Sequence, residues 1–184
     1  TKYSQTQNQR NQDRTTSFND DWSEVGPTYW TQTSGWNPGV GRLSSMSVDV
    51  SNQDHIIVGS IGGGIWKTTN GGTNWQPLTD NHGNMYVYSL AIDPNNTSTY
   101  YWGSSSGRIY KSINSGATWT SITDLGAGSV LKILIHPTNS NIVFATTTSS
   151  NGLYKSIDGG ANWTRILNGS FYDVEFDPND STKV

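Results

Sequence analysis

Three stretches of this chain align without gaps: residues 65–75, 109–119 and 153–163. Their closing tryptophans, Trp75, Trp119 and Trp163, stand 44 residues apart in both intervals. Each is followed three positions later by an aliphatic residue, Leu78, Ile122 or Ile166. A fixed period of this length means that one supersecondary unit is built repeatedly and buries its surface against its neighbours.

The unit is made of strands. An alternating segment ends at Asp49, Asp93, His136 and Asp177, and Pro94, Pro137 and Pro178 follow the last three. Larger residues recur at every second position before that end: Met46 and Val48; Tyr88, Leu90 and Ile92; Leu131, Ile133 and Ile135; Tyr172, Val174 and Phe176. A period of two is that of a strand with one face turned inward, and the proline, which has no N–H for a ladder, ends it. A second apolar run lies at 56–59, 100–103 and 142–145. A third strand ends at Lys67, Lys111 or Lys155, and a fourth starts at the tryptophan. We label these four strands a to d. No stretch keeps a 3.6-residue apolar period, so the class is all-β without a long helix. Four-stranded units of this length are the blades of a β-propeller.

Composition agrees. Twenty glycines, eight tryptophans, nine tyrosines and only 14% charged residues suit strands joined by tight turns. The net charge of −3 disfavours nucleic acid or an anionic membrane as partner. No apolar run is long enough to span a bilayer. Without cysteine there is no disulfide, thiolate metal site or cysteine nucleophile. The three histidines share no short ligand spacing, so neither metal nor cofactor is expected.

The c–d turns read Ser/Thr-x-Asp/Asn-x-Gly-x-x-Trp: Thr68, Asn70, Gly72 and Trp75; Ser112, Asn114, Gly116 and Trp119; Ser156, Asp158, Gly160 and Trp163. This pattern resembles the Asp-box of BNR and sortilin-like propellers, over roughly residues 40–184. An Asn or Asp side chain is expected to accept a backbone N–H two residues on, the glycine to take a positive φ, and the tryptophan to fold over the hairpin. These twelve residues are therefore read as structural. The low charge and the boxes also resemble large secreted or cell-surface bacterial proteins, some exported by type IX secretion.

Expected boundaries are a disordered or extended arm over 1–20, a closure strand at 21–25 (Trp22 and Val25 repeat the strand d spacing), blades at 42–78, 85–122 and 130–166, and the start of a fourth at 171–184. A closed ring needs four to eight blades, so the remainder of the same propeller or another chain is expected to complete it.

Strand parity puts the a–b and c–d turns on one face and the b–c and d–a loops on the other. The second face is the expected ligand face, for protein or polysaccharide, with Tyr29, Trp30, Trp36 and Tyr86 as candidates. No catalytic residue is assigned. A sialidase resemblance would require an Arg-Ile-Pro motif, whereas Arg42 is followed by Leu43-Ser44. A xyloglucanase resemblance would require an Asp where Ser60 precedes Ile61-Gly62-Gly63. A glycoside hydrolase drawing carboxylates from elsewhere is the alternative to a binding module. Lys67, Lys111 and Lys155 are expected to lie over neighbouring aromatic rings, and Lys132 to pair with Asp173 across adjacent a strands.

Overall fold

The computed structural model describes residues 42–126, 128–149 and 151–184. The arm 1–20, the strand expected at 21–25, and Tyr29, Trp30 and Trp36 lie outside them. The described chain forms three four-stranded antiparallel sheets, each in simple meander order. The first holds β1 (Leu43–Asp49), β2 (Asn52–Ser60), β3 (Gly64–Thr68) and β4 (Gln76–Pro77). The second holds β5 (Ser89–Asp93), β6 (Asn96–Gly103), β7 (Arg108–Ser112) and β8 (Thr120–Asp124). The third holds β9 (Val130–His136), β10 (Asn139–Thr147), β11 (Gly152–Ser156) and β12 (Thr164–Leu167). A single 3-10 turn, Ser105–Gly107, is the helical element among the described residues. The architecture is a partial β-propeller.

The a strands stand side by side, β1 next to β5 and β5 next to β9. Small hydroxyls tie them together. Ser44 donates to the Val87 carbonyl at 2.5 Å, Ser89 donates to the Val130 carbonyl at 2.8 Å, and Ser47 accepts the Ile92 N–H at 3.0 Å. Glycine in strand b permits this approach. A Cβ on Gly59 would fall 2.3 Å from Val87 Cγ1, and one on Gly103 would fall 2.7 Å from Val130 Cγ1.

The hydrophobic core lies between sheets. Ile57, Ile65, Val87, Leu90, Ile92, Tyr100, Trp102 and Tyr110 fill the first junction, with Leu78 and Trp119 at its edge. Ala91, Tyr101, Ile109, Val130, Ile133, Ile135, Val143, Ala145 and Tyr154 fill the second, with Ile122, Leu125 and Trp163 against them. The middle sheet is covered on both faces, so the consecutive residues Tyr100, Tyr101 and Trp102 are all fully buried. Alternation sends Tyr101 to one junction and its two neighbours to the other. A buried side chain of this kind contributes about 1.5–3 kcal/mol, and each blade gains that only from its neighbour.

Two details differ from the sequence reading. Ile56, Tyr100 and Val143 hold equivalent places, opposite Thr68, Ser112 and Ser156. The third b strand is thus one residue out of the expected alignment at 142–145. The apolar stretch begins one residue early, at Ile142, which precedes the ladder position that Ile56 and Tyr100 hold; the b–c loop between paired Thr147 and Gly152 is also one residue longer than that between Ser60 and Gly64. The segment 171–177, expected to be a strand, is not one. A strand needs a ladder partner, and the segment holds only an isolated bridge between Asp177 and Asp180. It still sits against the third blade, with Phe176 edge-on to Phe144 at 5.8 Å and to His136 at 5.2 Å.

Candidate functional site

The box turns fold alike in all three blades. The first hydroxyl is the hub: Thr68, Ser112 and Ser156 accept the N–H of Gly72, Gly116 and Gly160 at 2.8–2.9 Å. Each hydroxyl donates in turn to the side-chain oxygen of Asn70, Asn114 or Asp158. That oxygen accepts an N–H four residues on, from Asn74, Thr118 or Asn162, at 2.8–2.9 Å. The expected two-residue Asx bond is therefore not made here. It occurs instead at the a–b turns, where Asp49, Asp93 and Asp177 accept the N–H of Ser51, Asn95 and Asn179. His136 fills the same role, its Nδ1 accepting the Thr138 N–H at 3.2 Å. The box glycines have φ between 84° and 92°, and Gly71, Ser115 and Gly159 before them are also left-handed. The bonds from the N–H and side-chain amide of Asn162 and from the Ser156 hydroxyl hold Asp158 down at about 2. The hydroxyl and the side-chain oxygen of the first and third box positions are engaged within their own turn, which leaves them little capacity for an outside ligand.

On the opposite face, Tyr86 is the described member of the aromatic candidates. Its side chain is 53% exposed, yet its backbone is fixed from several sides. Its N–H donates to Asn84 Oδ1 at 3.0 Å, its carbonyl accepts Trp102 Nε1–H at 3.2 Å, and it bridges to Ile61. Asn84 also donates to Ser104 Oγ at 2.7 Å and to the Tyr110 hydroxyl at 3.3 Å. His82 lies edge-on to Trp102 and Tyr110, each at 5.0 Å. The sequence reading missed this His82–Asn84–Ser104–Tyr110 support. The only signal for it was the polar run between Leu78 and Met85, which has no period.

A second buried polar chain crosses the first junction near the a–b turns. His55 Nδ1 lies 2.9 Å from Asp49 Oδ2, and His55 Nε2 lies 2.5 Å from the Tyr100 hydroxyl. With the carboxylate ionised, Nδ1–H donates to Asp49 and Nε2 accepts from Tyr100. Burial pushes Asp49 upward, but the Ser51 hydroxyl, His55 and the Ser51 N–H outweigh it and hold the carboxyl at about 2. Burial also raises Tyr100. Tyr100 has no exposed surface, so this chain links blades and offers no substrate contact.

Two of the three periodic lysines lie over a ring, each of its own blade: Lys111 stands 5.0 Å from the Tyr101 centroid and Lys155 5.4 Å from that of Phe144. The lysine tips do more. Lys67 donates to the Ser115 carbonyl at 3.1 Å and Lys111 to the Gly159 carbonyl at 2.9 Å, each in the box turn of the next blade. Lys132 meets Asp173 at 3.1 Å and also Glu175. It borders an open groove of about 610 Å³ along the inner strands, walled by Met46, Val48, Leu134 and Phe176 and by Pro94, Pro137 and Pro178.

Among the described residues no group of three or more His, Cys, Asp or Glu could hold a metal ion. No helix among them is long and apolar enough to cross a membrane. Ser60 is nearly buried and paired with Leu43 and Gly64.

Residues 63–183 match the family profile Sortilin-Vps10, described as sortilin, neurotensin receptor 3. No curated protein sequence matches. Similar solved structures include YCF48 bound to D1 peptide, with TM-score 0.59 and 17% identity over 75% of this chain and 45% of that one. An ancestral GH74 enzyme aligns with TM-score 0.57 and 24% identity over 68% of this chain and 18% of that one. The GH74 enzyme of Niastella koreensis aligns with TM-score 0.56 and 24% identity over 70% and 23% of the two chains. The chain spans less than half the length of each of these structures, and at such identities the likeness is one of fold.

Proposed function

The chain belongs to the Sortilin-Vps10 family, and on that footing we propose that it is part of a secreted or cell-surface binding propeller. Its ligand is a protein or polysaccharide, taken at the face of the b–c and d–a loops. Tyr86 carries this reading. An aromatic ring held half-exposed on a backbone fixed by Asn84, Trp102 and Ile61 is a ready stacking surface. Its ordering has been met within the fold, so little entropy is lost when a ligand docks. Tyrosine is also a frequent anchor at binding interfaces. The peptide in the YCF48 structure makes a peptide the first ligand class to try. In this reading further polypeptide, from the same chain or another, completes the ring.

A carbohydrate-active hydrolase is the second reading, favoured by the GH74 enzymes among the similar structures. Screening the protein against peptide and glycan arrays, with a parallel polysaccharide-hydrolysis assay, separates the two. The binding reading expects retention of a peptide or glycan that Tyr86→Ala weakens by about 1–2 kcal/mol, roughly 5- to 30-fold. Turnover of any glycan would overturn it in favour of the hydrolase.

A further inference from the structure

The dipeptide Asn–Gly occurs at three places in the chain, residues 70–71, 151–152 and 168–169. In this pair the backbone nitrogen most readily attacks the preceding side-chain amide, because glycine has no Cβ to shield it. The three pairs are equal in sequence, and the fold separates them. At the first, Asn70 Oδ1 accepts the Thr68 hydroxyl and the Asn74 N–H, each at 2.9 Å, and the Gly71 N–H donates to the Asp54 carbonyl at 3.1 Å. Both reacting groups are held. At the second, Asn151 Nδ2 donates to the Leu125 carbonyl at 2.5 Å and Asn151 Oδ1 accepts the Tyr154 hydroxyl at 3.1 Å. Its glycine, Gly152, is buried in β11 and paired with Thr147.

The third pair is held by neither means. Asn168 directly follows β12 and is exposed. Among the described residues its side-chain amide has no hydrogen-bond partner. Gly169 has φ of +136°, a region that L side chains rarely adopt, and a Cβ there would crowd Phe171 Cε2 at 3.3 Å. The backbone thus favours glycine at the position that makes Asn168 reactive. The pair also lies at a seam. Gly169 bridges to Asn151 and closes the d–a loop of the third blade onto its b–c loop, on the face that carries Tyr86.

We propose that Asn168–Gly169 is a self-modifying site on the loop face, where water converts a neutral amide into a carboxylate. Gly169 N, its proton taken by hydroxide, bonds to Asn168 Cγ. The Cγ–Nδ2 bond breaks and ammonia leaves, which closes a succinimide ring. Water then opens the ring. Opening at Cγ restores the ordinary main chain with aspartate at position 168. Opening at the backbone carbonyl gives isoaspartate, whose main chain runs through Cγ. One water enters and one ammonia leaves, with no change of oxidation state. Either product puts a negative charge beside Asn151. The isoaspartyl product also lengthens the main chain by a methylene and takes Gly169 out of register with Asn151. The inference is independent of what the loop face binds.

The test holds the full chain under native conditions at mildly acidic and mildly alkaline pH. Peptide mapping by mass spectrometry follows the replacement of amide by hydroxyl at each of the three sites, and a methyltransferase specific for isoaspartate counts that product. Asn168 should react first, faster at the alkaline pH, and give both products. Asn70 and Asn151 must each give up at least two hydrogen bonds before reacting, so both should be slower by at least about tenfold. In denaturant the three sites should react at similar rates. Asn168→Gln, whose ring closure is slower, should remove the fast phase. In the isoaspartyl fraction, amide exchange at Gly169 and Ser170 should rise. Equal rates at the three sites in the folded chain, or faster reaction at Asn70 or Asn151, would overturn the proposal. So would an equal preference for Asn168 in denaturant, since flanking sequence and not the fold would then select the site.

Discussion

Asp49, His55 and Tyr100 show how one side chain joins two blades. Truncating His55 to Ala leaves a buried carboxylate and a buried hydroxyl without their shared partner, at a cost of about 2–3 kcal/mol in denaturant unfolding. The acid response has a defined sign. Asp49 is held at about 2 in the fold against 3.8 when unperturbed, so its stabilisation is complete above 3.8 and is lost as pH falls towards about 2. Asp49→Asn should therefore flatten the acid limb of a stability–pH curve in that window. A variant whose limb is unchanged would place the acid sensitivity elsewhere. This chain could not be read from sequence. The aspartate was visible as the end of strand a, but the reach from His55 to Tyr100 depends on how adjacent blades face each other.

Within the blade, the element that most constrains its neighbour is the box turn. Gly116 has φ of +84° and lies against Leu78 of the preceding blade. Gly116→Ala adds left-handed strain of about 1–2 kcal/mol to overpacking of about 1–3 kcal/mol. Thermal unfolding should therefore shift down by several degrees. A shift under one degree would mean that the junction relaxes freely. The spacing of the boxes, the four strands per blade and the positive φ of the box glycines were legible, because each follows from local chemistry repeated in register. The hydrogen-bond pattern inside the box was misassigned. Sequence shows that Asn70, Asn114 and Asp158 can accept an N–H, but not that two successive left-handed residues bring the fourth N–H to them rather than the second. The third b strand differs because Ile142 extends its apolar run by one residue, and apolarity alone does not set the register of a ladder.

Across the molecule, stability is unevenly spread. The middle sheet is packed on both faces, whereas every residue of β12 is exposed and 171–184 has no strand. Amide exchange should accordingly be slowest in β5 to β7, faster in β12, and fastest in 171–184. Equal protection in β6 and β12 would contradict a core that lies between sheets. The ligand face was legible only in part. Strand parity marked the side, and Tyr86 lies on it, but the polar support around Asn84 draws on loops of two blades.

The lysine-to-carbonyl junction has a consequence for how such a chain can change length. Any stretch running from one box to the next carries one donor and one acceptor of the same contact. Duplicating the coding sequence for such a stretch adds a blade whose two sides already match what lies before and after it, and losing one leaves the remaining neighbours matched. A cut at any other length separates lysine from carbonyl, and the leucine or isoleucine (Leu78, Ile122) from the box glycine it packs on (Gly116, Gly160), in a single event. The molecule is thus tolerant of growth in whole units and intolerant of fractions.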